Sequence, residues 1–194
     1  MLLKDKGALF IHIPKCAGVS IENFFGWKGL RHETLQPYAN ENPIELLESC
    51  FKFVFVRNPW DRMVSWYFKH SGELYEPKTK EGFLSWVKQG MPNHWKVVDK
   101  TDWRERNWDG SNDALSSLDF LENDKNIEID FIGKVETIDE DMKTICEKLN
   151  INYNKLSHTN KSNRNHYREY YDEDAKKIVE ERLERDLLFF PYEF

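Results

Sequence analysis

The fold is decided by residues 51–67, FKFVFVRNPWDRMVSWY, in which a strand is followed at once by a helix. Residues 51–56 are almost entirely apolar and rich in Phe and Val, which predicts a buried strand. Asn58 suits the N-cap of the following helix, and Pro59 suits its first position. From there apolar side chains recur at every fourth position, as they do on one face of a helix.

A similar strand, loop and helix occupy residues 8–25, ALFIHIPKCAGVSIENFF. The pattern predicts a strand at residues 8–13, a turn at 14–18 and a helix at 19–25. The remaining predicted elements are a strand at residues 127–132 and helices at residues 43–50, 81–88, 139–149 and 172–187. Because strands alternate with helices, we expect a mixed α/β fold whose sheet is largely parallel.

Length and composition limit the classes of protein to which this chain can belong. The 194 residues suit a single domain over 1–194, with the Trp-rich residues 72–125 as an insertion. The 28 Lys and Arg against 34 Asp and Glu leave a net charge of −6, which argues against a nucleic-acid partner. No apolar run is long enough for a transmembrane segment, and no cleavable signal pattern opens the chain, so we expect a cytoplasmic protein. Three widely spaced cysteines favour neither a disulfide framework nor a metal site.

The turn after the first strand has the features of an anion-binding loop. A loop that opens a helix points backbone N–H groups outward, and the helix dipole favours a negative charge there. Gly18 allows close approach of a ligand, Ser20 offers a hydroxyl and Lys15 a positive charge. The Walker A pattern is absent, so this is not the usual nucleotide loop. An ordinary turn with a solvated lysine is the alternative.

The turn after the second strand offers a matching site. Arg57 stands where that strand ends, at the edge of a parallel sheet where ligands usually bind. Its guanidinium can grip a phosphate, and the hydroxyl of Ser65 can assist. An ion pair between Arg57 and Asp61 is the alternative. Together the two loops suit a ligand that carries phosphate groups at both ends.

These stretches resemble the sulfotransferases. Residues 10–20, FIHIPKCAGVS, resemble the 5′-phosphosulfate loop of that family, and residues 53–67 resemble its 3′-phosphate-binding strand and helix. The likeness continues in residues 130–136, 158–162, 167–172 and 186–194. The pattern is similar to the membrane-associated, carbohydrate-type sulfotransferases, including soluble bacterial members. Residues 72–125 are left unmatched.

The resemblance implies a P-loop-like, three-layer fold with a central, mostly parallel sheet flanked by helices. It also implies that the chain binds 3′-phosphoadenosine 5′-phosphosulfate (PAPS) and transfers its sulfonate to a hydroxyl or amine of a carbohydrate or other small acceptor. The residues implied in PAPS binding are Lys15, Cys16, Ala17, Gly18, Val19, Ser20, Arg57, Ser65, Lys161 and Ser162. Cys16 and Val19 stand where the family often has threonine, and Val19 lacks its hydroxyl donor. We interpret Cys16 as a small packing residue.

Direct sulfonate transfer needs charge stabilisation on the leaving side and a base on the attacking side. Lys15 is the candidate for the first task. His32, in the loop after the first helix, is our first choice as the base, and Glu33 is the alternative. His12 lies on a buried strand, and we expect it to be structural. The reaction requires no metal ion.

Two other functions stay open: a P-loop nucleotide kinase or other NTPase, and a non-catalytic module that binds the desulfated product, PAP. The acceptor and the oligomeric state are not indicated. Trp and Arg side chains in the insertion suit stacking on sugar rings and contact with an acidic group, although packing within the insertion explains the Trp residues equally well. They are Trp86, Trp95, Arg104, Arg106, Trp103 and Trp108.

Overall fold

The computed structural model of the chain describes residues 1–27, 32–70, 73–92, 116–156 and 164–194. The chain divides into two compact units. The first comprises Met1–Arg57 and Asp119–Asn160, and the second comprises Asn58–Leu118 and Lys161–Phe194. The single domain with an insertion at residues 72–125 stays a prediction.

The first unit is built on a four-stranded sheet. Its strands are Leu2–Leu3 (β1), Ala8–Ile11 (β2), Phe51–Val56 (β3) and Phe131–Lys134 (β4), in the order β1-β2-β3-β4. β2, β3 and β4 run parallel, and only the short β1 is antiparallel to its neighbour. Every residue of β2 is buried, as is β3 beyond its first residue. The expected α/β class, with a central and mostly parallel sheet flanked by helices, is confirmed.

The helices divide between the two units. The described helices of the first unit are Gly18–Phe24 (α1), Leu35–Glu41 (α2), Ile44–Ser49 (α3) and Ile138–Lys148 (α6). The described helices of the second unit are Pro59–Lys69 (α4), Lys80–Lys88 (α5), Glu173–Arg182 (α7) and Glu184–Phe189 (α8). Short 3₁₀ turns join several of them.

The start of α4 follows the prediction. The side-chain oxygen of Asn58 accepts a hydrogen bond of 3.2 Å from the backbone N–H of Asp61, and Pro59 is the first helical residue. This cap satisfies one of the N–H groups that a helix start leaves without an intrahelical acceptor. Thr79 caps α5 in the same way, through a 3.2 Å bond from the N–H of Gly82.

The predicted strand at residues 127–132 is wrong at both ends, because β4 covers Phe131–Lys134. Gly133 weakens the strand pattern in the sequence, yet the fold requires a glycine there. A Cβ atom at this position would lie 2.6 Å from Cε1 of Phe55 on the neighbouring strand. The ring of Phe55 therefore occupies the space that any other residue at position 133 would need.

Two features of the helices differ from the predictions. α2 was not predicted, and Pro37 lies in its first turn, where the missing N–H costs no helical hydrogen bond. The single helix predicted at residues 172–187 is broken into α7 and α8 at Leu183, whose φ of −111° is not helical. Leu183 is buried, and the sequence contains no helix-breaking residue there.

Asp186 is buried, although it lies in a stretch rich in charged residues. Its side chain is 2% exposed, and its carboxylate accepts hydrogen bonds from the backbone N–H groups of Ser117 (2.7 Å) and Leu118 (3.2 Å). The same carboxylate lies 3.8 Å from the guanidinium of Arg62, which is fully buried. Asp186 thus ties three separate segments of the second unit together.

We expect Asp186→Ala to lower the free energy of unfolding by about 3–5 kcal/mol, because it removes one partner of a buried ion pair and the acceptor of two backbone donors. Urea unfolding at pH 7 measures the loss. Glu184→Ala is the matched control: this residue lies on the same helix and is exposed, so its loss should stay within about 0.5 kcal/mol. Equal losses in the two variants would contradict the role of Asp186.

Candidate functional site

The loop between β2 and α1 has an unusual backbone. Lys15 has a φ of +69° and Ala17 a φ of +61°, in the left-handed region that residues with a Cβ atom rarely adopt. The N–H of Cys16 donates to the carbonyl of Ile13 at 3.2 Å and closes a tight turn. Strained backbone of this kind clusters at ligand sites, and turns of this kind form concave sites for anions.

The side chains of this loop divide into buried and accessible ones. Cys16 is 1% exposed and Ser20 8%, whereas Lys15 and Val19 are partly exposed. The backbone N–H groups of Ser20 and Ile21 both donate to the carbonyl of Ala17, at 2.9 and 3.3 Å. The buried thiol of Cys16 fits its interpretation as a packing residue, and the ammonium of Lys15 is accessible to a ligand.

Arg57 joins the second loop to the first. One guanidinium nitrogen, Nη1, donates a hydrogen bond of 3.2 Å to the backbone carbonyl of Lys15. The contact follows from the sheet, because β2 and β3 are parallel neighbours and both leave it at the same edge. Two cationic residues, Lys15 and Arg57, therefore lie at one edge of the first unit.

Ser65 belongs to the second unit. It lies on α4, almost two turns after the helix start, and is 7% exposed. Near the same helix start, the carboxylate of Asp61 binds the guanidinium of Arg164. The assignment of Ser65 to a phosphate of the ligand stays a prediction from the sequence.

His32 lies against His12, the residue that directly follows β2. The centroids of the two imidazole rings are 4.1 Å apart, and their planes make an angle of 69°. His12 in turn binds Glu22 of α1, with 2.6 Å between Nδ1 and Oε1. The side chains of His12 and Glu22 are only 3% and 1% exposed. His32 and the end of β2 are therefore neighbours.

Glu33, the alternative base, interacts electrostatically with the α-amino group of Met1. The α-amino group of Met1 is buried and donates hydrogen bonds of 2.5 Å to the carbonyl of Phe10 and the hydroxyl of Tyr38. Burial lowers the pKa of this amine to about 5, and the negative charges of Glu33 and Glu22 oppose the shift. The amine is therefore uncharged at neutral pH, and two carboxylates face it.

The Glu22–His12 pair was not predicted from the sequence, from which His12 is expected to be structural. The available signal was a polar residue, His12, inside the apolar run of residues 8–13, since a buried polar side chain needs a hydrogen-bonding partner. Nothing in the sequence identified Glu22 as that partner.

Several predicted residues lie outside the described part of the chain. They are Lys161 and Ser162 of the donor site, and Trp95, Trp103, Arg104, Arg106 and Trp108 of the insertion. Trp86 is described: it is 1% exposed, and its indole N–H donates to the carbonyl of Pro92 at 2.9 Å. Packing therefore accounts for Trp86.

Among the residues that the structure describes, no group of three or more His, Cys, Asp or Glu side chains is arranged to hold a metal ion. Within the same ranges, no helix has both the length and the apolar character needed to span a membrane.

The chain was also compared with known proteins. Residues 1–193 match the protein-family model described as the sulfotransferase family. Neither the curated proteins nor the solved structures that were searched give a significant match.

We expect Gly18→Ala to destabilise the protein by about 1–3 kcal/mol, the usual loss for overpacking. A Cβ atom at position 18 would lie 1.9 Å from both Cδ2 and Nε2 of His12, whose ring is held in place by Glu22. Urea unfolding measures the loss, and His12→Ala supplies the control. The double variant should be little less stable than His12→Ala alone. Additive losses would show that the two residues do not compete for space.

Proposed function

The chain belongs to the sulfotransferase family, whose members transfer sulfonate groups, and from that premise we propose that PAPS is its donor. We propose a hydroxyl, or an amine, as the group that receives the sulfonate. A carbohydrate is the proposed acceptor, since the sequence resembles the carbohydrate-type members of the family.

The observation that carries the proposal is the hydrogen bond from Arg57 Nη1 to the carbonyl of Lys15, 3.2 Å long. It joins two loops that each bring a positive charge to the same edge of a parallel sheet. Arginine and lysine are the side chains that proteins use to bind phosphate and sulfate groups. The residues present therefore fit a ligand that carries several anionic groups, and PAPS is such a ligand.

Each loop has its own proposed task. The residues from Lys15 to Ser20 hold the 5′-phosphosulfate, through backbone N–H groups, the hydroxyl of Ser20 and the ammonium of Lys15. Arg57 holds the 3′-phosphate, with help from Ser65. Lys161 and Ser162 are proposed to close on the same molecule. When bound, PAPS supplies a sulfonate group joined to a phosphate oxygen.

The proposed chemistry is a direct transfer in line. The acceptor oxygen forms a new bond to sulfur, and the bond from sulfur to the phosphate oxygen breaks, leaving its electron pair on that oxygen. Lys15 stabilises the negative charge that grows there, because a lysine ammonium is charged at neutral pH. His32 takes the proton of the acceptor hydroxyl and later releases it to solvent. Glu33 is the alternative base.

We expect PAP to raise the melting temperature of the protein, because a ligand that binds only the native state stabilises it. A concentration of 100 times Kd corresponds to about 2.7 kcal/mol. Differential scanning fluorimetry measures the shift, and ATP with Mg²⁺ is the comparison ligand. A larger shift with ATP would favour the nucleotide kinase alternative, and no shift with saturating PAP would contradict the proposed donor.

Arg57→Ala should weaken PAP binding more than it slows the chemical step. Arg57 is proposed to grip a phosphate remote from the sulfur, so its contact contributes equally to the ground and transition states. Calorimetric titration with PAP and single-turnover rates at saturating PAPS separate the two effects. Arg185→Ala, which changes an exposed arginine, is the matched control. Unchanged affinity with a collapsed rate would contradict this role.

Lys15 and His32 should be separable by the acidity of the acceptor. Lys15→Ala should slow transfer to every acceptor by about 10²–10³-fold, the usual loss of one charge-stabilising group. His32→Ala should slow transfer to alcohols far more than to acidic phenols, which lose their proton without help. The measurement is the single-turnover rate across phenols of graded acidity and one sugar. Lys177→Ala, in which an exposed lysine is removed, is the control.

Two outcomes would revise these roles. If His32→Ala lost the same factor on all acceptors, His32 would not be the base, and Glu33 would become the leading candidate. If Lys15→Ala kept full activity, the loop after β2 would not stabilise the leaving group.

A further inference from the structure

A buried pair of polar side chains, His12 and Glu22, lies next to the proposed base. Nδ1 of His12 is 2.6 Å from Oε1 of Glu22, and the side chains are 3% and 1% exposed. The ring of His12 is also in edge contact with His32, at 4.1 Å between centroids. Glu22, His12 and His32 therefore form a chain of three titratable side chains within the first unit, and only His32 is partly exposed.

The bond to Glu22 orients the ring of His12. A carboxylate accepts hydrogen bonds, so an N–H at Nδ1 of His12 suits this contact. The other ring nitrogen, Nε2, points to the opposite side of the ring, away from the carboxylate. A buried carboxylate on one nitrogen of an imidazole orients the ring and stabilises positive charge on it.

Gly18 fixes the position of the same ring. A Cβ atom at position 18 would overlap Cδ2 and Nε2 of His12, at 1.9 Å from each. The imidazole therefore rests on the backbone of Gly18, at the start of the loop-and-helix unit proposed to bind the donor. This close packing and the bond to Glu22 together hold the imidazole of His12 in one position. The ring of His32 lies against it there.

Two carboxylates lie among the charged groups around this chain. Glu22 is in direct contact with His12, and Glu33 is next to His32 in the sequence. Both interact with the amine of Met1, whose pKa of about 5 leaves it uncharged at neutral pH. Oε2 of Glu22 has no hydrogen-bond partner among the described residues.

We propose that Glu22 and His12 are positioning residues for His32: they hold its imidazole in place and stabilise the positive charge that it gains from the acceptor proton. This inference rests on the proposed function, in which His32 is the base. Neither residue touches the reacting atoms. The acceptor proton moves to His32 alone, and no proton needs to pass along the chain.

The test compares Glu22→Gln with the wild type, because glutamine keeps the shape of glutamate and removes its charge. The first readout needs no donor: NMR titration of the imidazole of His32 in the protein alone. Without the carboxylate, the protonated ring loses stabilisation, so the midpoint of the titration should move to lower pH. Glu45→Gln, at an exposed site in the same unit, should not move it.

The second readout is the single-turnover rate at saturating PAPS. Glu22→Gln should lower it roughly tenfold, as loss of an orienting partner does. The acid limb of the pH–rate profile, which reports the base, should move to lower pH. Glu22→Gln combined with His32→Ala should be no slower than His32→Ala alone, because residues that act through one another are not additive. Glu22→Asp should recover most of the rate.

The outcomes separate the two proposals. If the wild type transfers no sulfonate but Glu22→Gln still moves the His32 midpoint, the proposed function fails and the coupling holds. If the midpoint does not move, or if the losses of Glu22→Gln and His32→Ala add, the pair is merely structural and the inference is overturned. Should Glu22→Gln fail to fold, His12→Gln removes the ring that His32 packs against and keeps the carboxylate. It should lower the single-turnover rate and add nothing to the loss of His32→Ala, and additive losses would overturn the inference.

Discussion

The parallel pairing of β2 with β3 is the constraint on which the candidate site depends. Phe10 pairs with Phe53 and Ile11 with Val54, and both strands run in the same direction. Two parallel strands leave a sheet at the same edge, so the loops that follow them must be neighbours. Antiparallel strands would have put Lys15 and Arg57 at opposite edges. The 3.2 Å bond from Arg57 to the carbonyl of Lys15 is a direct result of this pairing.

Each unit also contains a buried carboxylate that binds a basic side chain: Glu22 with His12 in the first and Asp186 with Arg62 in the second. Burying charges is costly, and such pairs contribute less to stability than their geometry suggests. Their effect is conformational, since neither partner can move without leaving the other charge uncompensated. In this way Asp186 joins segments of the second unit. Glu22 holds the ring of His12 in place in the same way.

The elements predicted correctly from the sequence are those that are specified by residues close together in the chain. β2, β3 and the capped start of α4 follow from apolar runs and from Asn58 and Pro59, and these signals need no knowledge of other segments. β4 was placed incorrectly because Gly133 is a poor strand residue until the ring of Phe55 is known to lie over it. The break at Leu183 was not predicted, because the sequence contains no helix-breaking residue there.

For the candidate site, the residue types alone indicate which chemical groups are available. The types and order of residues in the two loops, above all Lys15, Gly18 and Arg57, were enough to indicate an anionic ligand and the family. Which polar side chains are buried together becomes known only from the three-dimensional packing. Glu22 lies ten residues from His12 and Asp186 lies 69 from Ser117, yet both pairs are in hydrogen-bond contact. The free energy of a buried charge depends on its partner in space, and no local pattern in a sequence specifies that partner.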